Sequence, residues 1–219
     1  MPPPDLSYRV PDQACSEPAE LIHVRSGIIL VGGEARRADG MEKYFFEYQG
    51  MRFIDRLILS LTEVVDEIIL VAKDPDQSRR FTGIPGIRCV NDIRKGIGPI
   101  GGLHAGALAA HGDLLFVSAC DMPCVSSGVV ELLFRAIDDY DAAIPAWEAD
   151  MIEPLHAVYR RTPLLAYLED HDSLSLRTMV RNIRARYIPI AEIRRIDPSL
   201  TTFTNVNRLS DLHKINHSE

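Results

Sequence analysis

The chain reads as an α/β protein, a three-layer α/β/α sandwich around a mostly parallel, Rossmann-like central sheet. Three observations predict this. Four short apolar runs, GIILV over Gly27–Val31, EIILVA over Glu67–Ala72, IRCV over Ile87–Val90 and LLFVSA over Leu114–Ala119, are rich in branched residues. Strands covered on both faces look like this. Segments with helical spacing separate the runs, and strands alternating with helices build parallel sheets with right-handed crossovers. Glycines or acids follow the runs: Gly32-Gly33 directly, and Asp92 and Asp121 one residue further on. Open sheets of this kind bind ligands beyond the carboxyl ends of their strands.

The elements follow in order. Residues 1–22 hold five of the fourteen prolines and no periodic pattern. They read as a flexible proline-rich N-terminal extension, with a single domain over 23–219. After the strand at Gly27–Val31, residues 32–43 form a polar, glycine-containing loop. Phe53, Ile54, Leu57, Leu61, Val64 and Val65 recur at helical spacing. Glu67–Ala72 and Ile87–Val90 are the next strands. Pro99 opens a helix over Ile100–His111, because its missing N–H has no partner to lose in a first turn. After the strand Leu114–Ala119, Ser126 or Ser127 caps a helix to about Ile137. Strands at Ala142–Ala146 and Leu155–Arg160 come next. Helices near Pro163–Leu168 and Ser175–Ile183 and a short strand at Tyr187–Pro189 follow. Asn207 or Ser210 caps a last helix, Leu209–Ile215.

Composition excludes several classes. Of the 219 residues, 46% are hydrophobic and 25% charged, which is ordinary for a globular protein. No apolar run is long enough to span a bilayer, and the N-terminus lacks the basic and apolar regions of a secretory signal. A cytoplasmic address without a membrane partner is therefore expected. The net charge of -7 counts against a nucleic-acid partner. A local cation cluster remains able to hold a phosphorylated small molecule. Cys15, Cys89, Cys120 and Cys124 form no CxxC pair and no zinc spacing, so they read as small thiols in a reducing compartment.

The loop from Gly32 to Lys43 carries the first chemical signal. Two glycines after a buried strand permit a turn that side chains would block. N–H groups exposed there can cradle anionic oxygens, and Arg37 and Lys43 add positive charge suited to a triphosphate. The GK[ST] ending of a P-loop is missing. From composition alone, a solvated strand-to-helix loop accounts for this stretch equally well.

Asp121, at the end of LLFVSA and before Pro123, is placed for Mg²⁺, which favours one or two carboxylates together with water and phosphates. A plain Asp turn is the alternative. Asp92 reads locally as an Asx turn or helix cap, lifted by its place on the ligand edge. Gly96–Gly101 spells GIGPIG, formally a dinucleotide-binding GxGxxG. Five residues separate it from its strand, however, and Pro99 interrupts it. Asn205 and Asn207 project the same way from an extended segment and can offer amide oxygens to a metal or polar substrate, or cap a helix. Arg177, Arg181 and Arg184 recur at helical spacing, either as a solvated face or as a landing site for a phosphorylated second substrate. His156 reads as a hydrogen-bonded structural histidine.

Taken in order, these motifs resemble the molybdenum cofactor guanylyltransferases, within the glycosyltransferase-A-like superfamily of nucleotide-diphospho-sugar transferase type. The matching stretches are LVGGEARRADGMEK (Leu30 to Lys43), Asn91-Asp92, Gly98-Pro99-Ile100-Gly101-Gly102, Cys120-Asp121-Met122-Pro123, EPLHAVY (Glu153 to Tyr159) and FTNVNRLSDL (Phe203 to Leu212). The resemblance implies transfer of GMP from GTP to the phosphate of molybdopterin with release of pyrophosphate. It implies nucleotide binding by Leu30, Val31, Gly32, Gly33, Lys43, Asp92, Gly101 and Asp121, and Mg²⁺ on Asp121. It gives catalytic roles to Arg37, Lys43 and Asp121, and puts Asn205 and Asn207 on the acceptor side. Molybdoenzyme-maturation proteins are the implied partners downstream. The chain departs from the family pattern in three places. Val31 replaces a small alanine, Ala38 and Asp39 replace Met-Gly, and Val71 or Ala72 stands where an asparagine is common. A CTP-using relative, another phosphorylated acceptor, and a nucleotide binder without catalysis therefore stand beside the main reading.

Overall fold

The computed structural model describes residues 23–32, 43–94, 96–148, 151–171 and 175–206. The N-terminal extension and the helix expected over Leu209–Ile215 lie outside them. The chain runs through β1 (Arg25–Leu30), a 3-10 turn (Lys43–Phe45), the short hairpin β2 (Glu47–Tyr48) and β3 (Met51–Arg52), and α1 (Phe53–Thr62). It continues through β4 (Glu67–Ala72), α2 (Pro75–Ser78), β5 (Ile87–Asn91), α3 (Pro99–Ala109), β6 (Leu114–Ala119) and α4 (Ser127–Ala136). Then come β7 (Ala142–Glu148), β8 (Met151–Ile152), β9 (His156–Arg160), α5 (Arg161–Asp170), α6 (Leu176–Arg181), β10 (Ala185–Pro189), α7 (Ile190–Ile193) and a 3-10 turn (Thr201–Phe203).

The sheet has the order β10-β7-β9-β6-β1-β4-β5, with β8 paired to β7. β1 lies parallel to both β4 and β6, β5 to β4, and β10 to β7. Only β9 and the short β8 run against the rest. The mostly parallel α/β/α sandwich is the architecture expected.

Alternate residues of each strand feed two separate cores, as the two-residue period of a strand requires. Ile29, Leu70, Phe116 and Val158 pack against Leu57 and Leu61 of α1, Val129 and Leu133 of α4, and Ile193 of α7. Ile28, Ile69, Leu115 and Val117 pack on the other face with Leu103 of α3, Leu164 of α5 and Met179 of α6. Covering both faces is what turned these strands into continuous apolar runs.

Helix α3 is buried almost all round over its first two turns and lies very close to the sheet. A Cβ on Gly106 would stand 2.6 Å from Cγ2 of Ile28. The helix stops at Ala109, two residues before the expected end. The reason is that the next N–H groups find side-chain acceptors: His111 donates to Glu67 Oε1 at 2.6 Å and Gly112 to Ser26 Oγ at 3.0 Å.

Candidate active site

The chain leaves β1 for β4 and β5, then returns to β6 on the other side of β1. Such a reversal opens a crevice at the carboxyl ends of the two strands. Val31-Gly32 and Cys120-Asp121 form its two lips, joined where the Cys120 N–H donates to the Leu30 carbonyl at 3.1 Å. The Val31 and Gly32 N–H groups both donate to the Val71 carbonyl, at 3.0 and 3.2 Å. They are thus already used. The rest of the loop in which an N–H cradle is expected, from Gly33 onward, lies outside the described residues, and Arg37 with it. Lys43 is described through its backbone only, as the first residue of a 3-10 turn.

Leu30 and Val31 are buried, and their side chains enter opposite cores. The valine that departs from the family's alanine is absorbed by the α1-side core, so only backbone from these two residues is presented to the crevice. Gly32 is needed for close approach, since a Cβ there would lie 3.2 Å from the Lys73 nitrogen.

Lys73 and Gln77 escaped the sequence reading. Lys73 is exposed just past β4, level with the strand ends that carry the other site residues. The signal for it was the lysine closing EIILVAK. Gln77 is buried and ties three elements together. Its Oε1 accepts the Lys73 N–H at 2.8 Å, and its Nε2 donates to the Val31 carbonyl at 3.2 Å and the Tyr44 hydroxyl at 3.5 Å. Removing it strands buried backbone groups at the crevice mouth. Gln77→Ala is therefore expected to cost about 2–3 kcal/mol, read as a lower urea midpoint. An unchanged midpoint would contradict this account of the mouth.

Asp92 sits beyond β5, its N–H donating to the Ala72 carbonyl at 2.7 Å. Its Oδ1 accepts the Arg94 N–H at 2.7 Å, the Asx turn that the local sequence suggested. The carboxylate lies directly over Gly101 at the start of α3, where a Cβ would come within 2.5 Å of Oδ1. Gly96 and Gly98 adopt φ of 82° and 75°. GIGPIG is thus a left-handed turn feeding a tightly packed helix, not a dinucleotide loop.

Asp121 is half-buried after β6, and its carbonyl accepts the Val206 N–H at 2.9 Å. This bond brings Phe203–Val206, with the exposed Asn205, against the strand-end acid. Asn207 lies outside the described residues. No cluster of three or more His, Cys, Asp or Glu side chains occurs among the described residues. A single carboxylate at a strand end fits Mg²⁺, which completes its shell with water and phosphate oxygens.

The segment preceding Asn205 is anchored through His156, which is fully buried. The His156 ring meets Phe116 and Phe203 edge-on, at 5.2 and 4.9 Å. Thr202 Oγ1 accepts the Ser126 N–H at 3.1 Å and lies 3.2 Å from His156 Nε2. The Thr202–His156 contact ties the buried ring to the turn before Asn205, and Nδ1 is buried with no hydrogen-bond partner among the described residues. The Thr202 N–H donates to Asp197 Oδ2 at 2.8 Å. His156 is thus structural, as expected. Burial pushes its pKa down to about 3, against a weaker opposing pull from Asp197.

A histidine held neutral in this way makes stability pH-dependent. The folded value lies below the unfolded one of about 6.5. The contribution is therefore complete above about pH 6.5 and is lost as pH falls toward the folded value, by up to about 1.4 kcal/mol per pH unit. Urea midpoints measured from pH 7 to pH 5 should fall less steeply in His156→Phe than in the wild type. Equal slopes would remove the assignment.

Arg184 is not brought to the crevice. Its N–H bonds Asp141 Oδ2 at 3.0 Å, at the opposite edge of the sheet, and its guanidinium lies 6.0 Å over Tyr140. The arginines of α6 and the turn after it are a solvated face. A cavity of about 490 Å³ opens beside the Pro123–Val125 turn, lined by Tyr48, Arg56 and Asp197 among others, but none of the expected site residues lines it.

A mostly parallel sheet of this order, with an acid at the end of β6 beside the end of β1, is an architecture that suits a nucleotidyltransferase, and the likeness to known proteins shows that class. Residues 27–187 match the model of the MobA-like NTP transferase domain, and the chain belongs to that family. It is 39% identical over 201 residues to a protein of Methanosarcina acetivorans named probable molybdenum cofactor guanylyltransferase, covering 87% of this chain and 89% of that one. It is 32% identical to the molybdenum cofactor guanylyltransferase of Desulfosudis oleivorans, over 86% of this chain and 93% of that one. Among solved structures, the molybdopterin-guanine dinucleotide biosynthesis protein A of Archaeoglobus fulgidus superposes with a TM-score of 0.74 at 28% identity, covering 88% of this chain and 97% of that one. No helix among the described residues is long and apolar enough to cross a membrane.

Proposed function

We propose that this enzyme transfers GMP from GTP to the phosphate of molybdopterin and releases pyrophosphate, in the cytoplasm where GTP is available. The names carried by its relatives support the reading. The observation that carries it furthest is the Val206–Asp121 bond. Through it a glycine-loop lip and an asparagine-bearing segment flank one acid, as two phosphorylated substrates meeting there require. The strand ends from Leu30 to Gly33, with Asp92 and Gly101, take the nucleoside. Arg37 and Lys43 take the triphosphate, and Asn205 and Asn207 face the acceptor.

Asp121 would hold Mg²⁺, which when bound would offset charge on the phosphate oxygens. An oxygen of the acceptor phosphate forms the new bond to the α-phosphorus as the bridging bond to the β-phosphate breaks. Pyrophosphate carries away the electron pair, and Arg37 and Lys43 hold its charge. The acceptor is already anionic, so no covalent protein nucleophile is needed. The guanylylated product would pass to molybdoenzyme-maturation proteins.

Pyrophosphate release measured with GTP or CTP, with and without molybdopterin, tests the reading. GTP with molybdopterin should exceed every other combination by about tenfold or more, the factor that one lost hydrogen-bonding edge on the base supplies. A preference for CTP would favour the cytidylyl alternative, and release with a different acceptor would move the acceptor assignment. No release with any acceptor would sink the transferase reading for this chain.

A further inference from the structure

Beyond the lips of the crevice, one further cluster stands at the same edge. Strand β7 points the same way as β6, two strand spacings across the sheet, about 10 Å away. Near its end Ala146 pairs with Ile152 and Glu148 with Met151, so Trp147 is an extra residue, a bulge. Bulges re-aim a side chain and are concentrated next to active sites. The indole is 36% exposed, unusual for so large a ring.

The indole is nonetheless held. Its ring meets Phe203 edge-on at 5.6 Å, Phe203 meets His156, and His156 meets Phe116 in the core. A ladder of rings thus runs from the interior to Trp147 at the surface, and its rung Phe203 lies two residues from Asn205 and three from the Val206 whose N–H bonds Asp121. The indole Nε1–H donates to Glu153 Oε1 at 2.9 Å. The Glu153 N–H donates in turn to the Pro145 carbonyl at 3.0 Å, which fixes the backbone beneath the carboxylate. Glu153 Oε2 takes no hydrogen bond from the described residues. An exposed aromatic face beside a fixed carboxylate with a spare oxygen suits a flat heterocycle that carries N–H donors on one edge.

We propose that Trp147 and Glu153 bind the pterin ring of the acceptor, the indole stacking on its face and the carboxylate accepting from its N–H edge. This rests on the molybdopterin reading of the same site. It adds that the acceptor's phosphate lies at Asp121 while its ring system reaches across β9 to β7. The phosphate and the pterin stand at opposite ends of that molecule, and Asp121 and Trp147 follow β6 and β7, two strand spacings apart at one edge of the sheet.

Trp147 is the single tryptophan of the chain, so its emission reports the platform directly. Titration with molybdopterin under anaerobic conditions, without nucleotide, should quench it saturably, while GTP with Mg²⁺ should leave it nearly unchanged. Trp147→Ala should raise the KM for molybdopterin about tenfold or more, the scale of one aromatic stacking contact. The KM for GTP should move less than about twofold in that variant, and Trp147→Phe should recover most of the acceptor affinity. Glu153→Gln keeps an acceptor for the indole N–H but turns the spare oxygen into a donor, and should also raise the acceptor KM about tenfold. That second variant serves if Trp147→Ala loses its fold by circular dichroism.

Wild-type transfer to molybdopterin without quenching, and with unchanged acceptor KM in both variants, would overturn the platform and leave the transferase reading standing. Quenching by molybdopterin without transfer would support the platform and remove the reaction. Neither quenching nor transfer would remove both. Equal quenching by GTP would hand the platform to the guanine base and overturn the proposal.

Discussion

Asp121→Asn is expected to lower turnover by about 10²- to 10³-fold while the protein stays folded. The side chain is half-buried at the end of β6, and the substitution changes a charge but hardly a volume. The Asp121 carbonyl, which accepts the Val206 N–H and so anchors the Phe203–Val206 segment, is untouched by the substitution. Loss of stability should therefore stay within about 1 kcal/mol, and the urea midpoint should scarcely move. The neutral amide still offers an oxygen, but without the charge that attracts a divalent cation. Raising the Mg²⁺ concentration should accordingly recover part of the lost rate in Asp121→Asn and little in Asp121→Ala. Near-normal turnover of Asp121→Asn at ordinary Mg²⁺ would refute the metal assignment.

The elements legible in the sequence were those whose pattern reflects burial on both faces. β4 and β6 begin and end where EIILVA and LLFVSA do, because covering both faces keeps the runs apolar apart from the buried Ser118 and the edge residue Glu67. α3 showed its start through Pro99 but not its end, which depends on Ser26 and Glu67, both remote in sequence. The β2–β3 hairpin, α2, β8 and α7 are too short to carry a period. The reversed direction of β9 has no signature in HAVYR, since direction is set by which neighbours a strand meets.

The site divides in the same way. Asp92 and Asp121 were legible because an acid closing a buried strand lies at the ligand edge whatever the details. Gln77 was not, because its value lies in Val31 and Tyr44, brought to it only by folding. The Trp147 bulge was not legible either, since the extra residue exists only relative to the register of β8. The regular spacing of Arg177, Arg181 and Arg184 left a solvated face and a phosphate landing site both open, and the fold leaves Arg184 at the opposite edge of the sheet. Periodicity specifies a face, not the edge of the sheet to which that face is carried.

Gly101→Ala is the second substitution with a large expected effect, because the methyl group has nowhere to go. Its Cβ would stand 2.5 Å from Asp92 Oδ1 and 2.6 Å from the Arg94 carbonyl oxygen. The carboxylate can rotate away, at the loss of its bond to the Arg94 N–H. The carbonyl belongs to the backbone and moves only if the turn from Asp92 toward Gly96 moves with it. Overpacking against backbone costs about 1–3 kcal/mol, and part of that strain is relieved by displacing the turn from the crevice. The expected result is a lower urea midpoint together with a KM for GTP raised about tenfold or more, the acceptor KM changing far less. Gly102→Ala, one residue along, is the control: its Cβ would meet the end of the Leu30 side chain at 3.3 Å, a contact that a small rotation relieves. The double variant Asp92→Ala, Gly101→Ala separates the two clashes. Removing the carboxylate leaves the Arg94 carbonyl in place, so stability should recover only in part. Full recovery would mean that the Asp92 side chain alone fixes the turn, and that the backbone above α3 yields more readily than its packing implies.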